Sequence, residues 1–172
     1  MTIVHRKGTS PLAVLADRLP VRARIGLALV AGDIALRFIE APLNRQVSVS
    51  ALDIARRWFD GKRIDPDRIQ DALYDEESGL SLILQSVDNK QDKAAMMTLG
   101  SVLLYTAYHA YQHTGGTPNG SVCEVDEREL DEIDKWLRVI APAAMDILRM
   151  AAQHLESRPD ISFRALKAEI FS

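Results

Sequence analysis

One cysteine, Cys123, is too few for an internal disulfide, and nothing in the chain points to an oxidising compartment. No apolar run approaches the ~20 residues that a membrane span needs, so a membrane partner is not expected. The stretch at residues 25–32, IGLALVAG, has the look of a secretory leader core. It starts late, however, and continues in helical phase through Leu36 and Ile39, with Asp33 and Arg37 four apart as a helix-surface pair would be. The expectation is a helix of a soluble, cytoplasmic protein. There is no glycine-rich phosphate loop and no serine at a nucleophile elbow, and Cys123 has no assigned base. Nothing argues for an enzyme, and no cofactor is expected.

What is there is an ordinary globular composition, 47% hydrophobic and 26% charged over 172 residues, which suits a single domain with its own core. The net charge of −3 hides an asymmetry. Residues 1–63 hold eleven Lys and Arg against five Asp and Glu, whereas residues 64–172 hold ten against nineteen. The basic residues never gather into a stripe, so nucleic acid is not expected as a partner. The acidic part reads either as a mixed solvated surface or as one that docks a basic partner.

The chain is organised around residues 92–114. At 3.6 residues per turn, Met96, Leu99, Gly100, Leu103, Ala107 and Ala110 fall on one side. Thr98, Ser101, Tyr105, Tyr108, His109 and Gln112 fall on the other, with a polar handle at almost every position. Before this helix, residues 1–9 look loose, and Ser10-Pro11 starts a short helix that Pro20 interrupts. A second helix is expected over 21–40, stopping before Pro42, and a polar link over 43–49. Ser50 and Asp53 resemble a capping box for a helix over 51–60, with Ala51, Ile54, Ala55 and Trp58 inward, Arg56 and Arg57 outward, and Gly61 closing it. Asp65-Pro66 opens the next helix, Ser78-Gly79 breaks it, and 80–87 reads as helix with a buried strand as the alternative. Beyond the Thr117-Pro118-Asn119-Gly120 turn, a helix from Asp126 is kinked or divided by Pro142, and Pro159 separates a last helix over 162–171. The predicted fold class is all-α, a single-domain multi-helix bundle.

Three constellations stand out. His109 and His113 are four apart, as two imidazoles on one metal ion would be, but the glutamate of a metalloprotease helix is replaced by Ala110 and no third ligand is marked. The expected metal content is none, and a metal-dependent enzyme is the weaker alternative. Asp71, Asp75, Glu76 and Glu77 crowd the end of the helix begun at Asp65, where the dipole disfavours them by ~0.3–1 kcal/mol each. No Lys or Arg lies between Arg68 and Lys90 to neutralise them, which makes them candidates for a partner's basic groups, unless Ser78 starts the next helix and places them near a favourable N-terminus. The acids around Asp126, including Glu127, Asp131 and Asp134, sit at a helix start and are secondary candidates. The tyrosine flank of Tyr105, Tyr108, His109 and Gln112 suits an interface, or equally a packed helix with hydroxyls at its rim.

The succession ALDIARRWFDGK, LYDEESGL, VLLYTAYHAYQ and CEVDERELDEIDKWL resembles the sixth-numbered family of bacterial polymorphic-toxin immunity proteins, over about residues 50–138. The resemblance places Trp58, Tyr74, Asp75, Glu77, Gly79, Tyr105, Tyr108 and Tyr111 at positions characteristic of that family. It implies a small helical cytoplasmic protein that neutralises a cognate toxin domain by binding it. The expected docking residues are then Asp71, Tyr74, Asp75, Glu76, Glu77, Tyr105, Tyr108, His109 and Gln112, while Trp58 belongs to the core. A helical adaptor or dimerisation module that self-associates is the alternative of another class.

Overall fold

A computed structural model describes residues 9–118 and 120–172. The first eight residues expected to be loose, and Asn119 of the turn cluster, lie outside the described residues. Among those described there are nine α-helices, a 3-10 turn at Gly120–Glu124 and no strand.

Helix α1 (Pro11–Asp17) is capped by the Ser10 hydroxyl, which accepts from the Ala13 N–H, with Pro11 in the first turn. Helix α2 (Val21–Leu36) buries 13 of its 16 residues, including two glycines used for close approach. A Cβ on Gly26 would come 2.8 Å from Leu155, and one on Gly32 would come 3.1 Å from Leu52. This helix ends at Leu36 instead of Glu40, and the expected link at 43–49 is helical. Helix α3 runs from Pro42 to Phe59 as one piece of 18 residues. Pro42 limits how far α2 could run and is equally at home in the first turn of α3, where its missing N–H has no partner to lose. Ser50 therefore caps nothing. It lies inside α3 and donates to the Gln46 carbonyl at 3.0 Å. Gly61 does close the helix, at φ +78°.

Helix α4 (Pro66–Tyr74) is capped by Asp65 and followed by the five-residue α5 (Leu80–Leu84). Helix α6 (Lys90–Thr114) is the hub, packing on α2, α3, α4, α5 and the helix that follows it. Its polar side is covered over much of its length, since Thr98, Ser101, Tyr105 and Thr106 are buried along with Leu99 and Leu103. Thr98 and Thr106 satisfy their hydroxyls on the helix itself, donating to the Ala94 and Val102 carbonyls at 3.0 and 2.8 Å. Near its start, buried Asp92 accepts from the Glu40 and Ala41 N–H groups and from Asn44, so it holds the α2–α3 turn in place. Pro142 divides the following helix into α7 (Glu129–Ile140) and α8 (Ala144–Ser157), and α9 (Phe163–Ile170) closes the bundle. The Ser10 N–H donates to Asp131 at 2.8 Å, tying α1 to α7.

Two expected surface groups turn inward. Arg56 is paired with Asp33, and Asp33 itself is only 3% exposed. The Asp33–Arg37 pair is loose, at 4.0 Å.

Candidate docking surface

The residues assigned to one docking surface separate into an interior cluster and an exterior one. Tyr105 is 0% exposed and His109 5% exposed, so neither is available to a partner. They face Glu127, which stands on the turn before α7. Tyr105 donates to its Oε2 at 2.7 Å, Arg24 of α2 pairs with its Oε1 at 3.2 Å, and His109 Nε2 lies 3.4 Å from Oε1 without an aligned hydrogen bond. Burial, and then the hydrogen bond to Glu127, push the Tyr105 phenol well above its usual range. Burial pulls the His109 imidazole below its usual value, with Glu127 opposing and Arg24 assisting. This is a structural junction of α2, α6 and α7.

The secondary acidic candidates are likewise engaged. Glu127 belongs to the junction, Asp131 anchors Ser10, and Asp134 is buried and accepts from Arg138 Nε at 2.7 Å. The metal reading of the two histidines fares no better. His109 is inside, whereas His113 is exposed and meets Trp58 edge-on with ring centroids 6.3 Å apart. Among the described residues no group of three His, Cys, Asp or Glu side chains is arranged to hold a metal ion. Trp58 itself is half-buried against the core.

Asp71, Tyr74, Asp75, Glu76 and Glu77 do share an exposed surface at the end of α4. Asp75 is not a disfavoured, unsatisfied charge at the helix end. Its carboxylate accepts from the Ser78 hydroxyl at 2.8 Å and from the N–H groups of Glu77 and Ser78 at 3.0 and 2.8 Å, which hold it below the usual carboxylate range. Asp75 is thus the keystone of a tight turn, and Gly79 closes that turn. A Cβ at Gly79 would lie 2.6 Å from both the Asp75 nitrogen and oxygen, a distance no side chain tolerates. Asp71, Glu76 and Glu77 have no ion pair among the described residues. Tyr74, the last residue of α4, is 38% exposed, and Leu82, on the helix that follows the turn, is 43% exposed. Leu82 escaped the sequence reading because the strongly apolar 80–87 stretch gave no hint of which residue faces out.

The negative field extends along α4. Tyr111, buried on α6, donates to Asp67 and lies 3.2 Å from the Gln70 side-chain oxygen. Burial, the Asp67 bond and the charges of Asp67, Asp65 and Asp71 together raise its phenol above the usual range. Leu73 meets the helix at Gly100, so α4 runs antiparallel to α6. Its acidic end therefore lies about 12 Å along the axis from Tyr108, on a rise of about 1.5 Å per residue. Half-buried Tyr108 and exposed Gln112 are not part of the same patch.

Fold and surface together define an all-helical protein whose acidic candidate site is a solvent-facing patch. The family model described as immunity protein Imm6 matches residues 23–138, about two thirds of the chain, and the chain belongs to that family. The match begins at α2, well before the segment at 50–138 that carried the resemblance. No curated protein and no solved structure matches the chain.

Proposed function

We propose that this protein is a cytoplasmic immunity protein that neutralises a cognate toxin domain by stoichiometric binding, without catalysis. The toxin presents a basic surface to Asp71, Glu76 and Glu77, and Tyr74 and Leu82 supply the apolar anchors at the centre of the contact. The observation that carries this reading is a set of carboxylates with no ion pair among the described residues, beside an exposed ring on a turn held by Asp75 and Gly79. Family membership supports a toxin as the partner. No helix among the described residues is long and apolar enough to cross a membrane.

The test is co-expression with the toxin domain. Glu76→Lys with Glu77→Lys is the informative variant, because Asp75→Lys would also dismantle the turn. Loss of protection at unchanged thermal unfolding supports the assignment, and full protection refutes it. The adaptor or dimerisation reading has less support. Among the described residues the other large exposed apolar side chains are spread over five helices, with Val14 on α1, Val21 on α2, Leu43 and Val49 on α3, Val139 on α7 and Met150 on α8.

A further inference from the structure

An open cleft of about 440 Å3 lies between α2, α3 and α9, away from the acidic turn and not needed for the function proposed above. Among the described residues, Arg37, Arg45, Arg56 and Lys167 line it around one carboxylate, Asp33, an excess of three positive charges in the lining. Leu36 and Val49 are the apolar part of that lining. Its size falls in the range of small-ligand sites, roughly 300–1,000 Å3, but its walls do not suit an apolar ligand.

The cations are held in place, and they are under-used. Asp33 receives Arg56 directly, Lys167 Nζ at 3.0 Å and Arg37 only at 4.0 Å. Rings fix two of the guanidinium groups, with Arg37 at 3.8 Å over Phe171 and Arg56 at 5.0 Å over Phe163. Arg45 makes one long contact, to the Ile39 carbonyl at 3.5 Å. The Arg56 Nε–H is buried with no acceptor among the described residues. Burying an unpaired guanidinium donor is unfavourable, and desolvation lowers the Arg56 pKa, with Asp33 and Asp53 opposing.

We propose that this cleft is a binding site for a phosphate-type oxyanion, either free phosphate or the phosphate groups of a larger small molecule. Asp33 acts as the anchor that gathers the cations, and the anion's several oxygens take the solvent-facing donors of Arg37, Arg45 and Lys167 that Asp33 leaves unfilled. A guanidinium fork binds a carboxylate or a phosphate through two parallel N–H bonds, but a carboxylate has only two oxygens, whereas a phosphate has enough to engage several cations at once.

The experiment is isothermal titration calorimetry of the full chain with inorganic phosphate and with pyrophosphate, at constant ionic strength set by sodium chloride. One saturable site is expected, tighter for pyrophosphate. Arg45→Ala, and more strongly Arg37→Ala with Arg45→Ala, should weaken pyrophosphate by about tenfold or more without changing thermal unfolding. Arg149→Ala, on α8 and paired with Asp146, should leave binding unchanged. Absence of saturable binding, or equal losses from Arg149→Ala and Arg45→Ala, overturns the proposal. So does absence of phosphate binding combined with loss of toxin neutralisation in the double variant, which would reassign the cleft to an acidic protein surface.

Discussion

The junction around Glu127 and the turn around Glu76 are built from the same materials, carboxylates and a tyrosine, yet they end in opposite environments. At the junction a cation arrives from far along the chain, Arg24 of α2, and the tyrosine hydroxyl and the carboxylate satisfy each other. At the turn no cation among the described residues pairs with Asp71, Glu76 or Glu77, and Tyr74 stays at the surface. The difference teaches that an acidic cluster becomes scaffold or contact surface according to what the rest of the fold brings to it. It also explains part of the charge asymmetry, since a basic residue of the first third neutralises an acid of the last.

The comparison breaks most visibly at the tyrosines. Tyr105→Ala should cost about 3–5 kcal/mol in urea unfolding, as for other large buried rings, whereas Tyr74→Ala should stay within about 1 kcal/mol of wild type. Tyr74→Ala should nonetheless weaken toxin binding. Equal stability losses would remove the distinction between the two regions.

Gly79→Ala comes next. The intruding Cβ forces the Asp75 backbone to move, with an expected cost of about 1–3 kcal/mol and loss of toxin protection. Glu127→Ala leaves the buried Tyr105 hydroxyl without its acceptor, about 1–3 kcal/mol, and should leave toxin affinity unchanged in a well-folded preparation. A fall in affinity at intact fold would return the junction to the contact surface.

The smallest effect is on pH dependence. The folded His109 pKa lies below that of the unfolded chain, so the unfolded state binds the proton first as pH falls. The contribution of neutral His109 is complete above about pH 6.5 and is lost on acidification from there to the lower folded value. Thermal unfolding scans of wild type and His109→Gln between pH 7.5 and 5, conditions chosen around that ordinary value of about 6.5, should diverge in slope, the variant being flatter. Parallel slopes would mean that His109 takes up its proton without cost in the fold.

Much of the scaffold was readable from local chemistry. Ser10-Pro11, Asp65-Pro66, Gly61, Gly115 and Pro142 punctuate the chain where the helices begin and end. Pro42 was ambiguous in principle, because a proline limits the helix before it and starts the helix after it. The site was less legible. Periodicity puts Tyr105 and His109 on the polar flank of α6, but only the packing of α2 and α7 shows that this flank is interior. The cation that neutralises Glu127 lies 103 positions away, beyond the reach of any local rule. At Asp75 the helix dipole is outweighed by the turn's own N–H groups, which donate to the carboxylate and which charge spacing alone does not reveal.

The central claim is that the exposed acids at the end of α4 steer and hold a basic toxin surface. The most direct measurement is the association rate of the toxin domain with wild type and with Glu76→Lys plus Glu77→Lys, across a series of salt concentrations. The account predicts at least a tenfold slower association for the variant at low salt, with the gap closing as salt rises. Identical rates with the same salt dependence would contradict it.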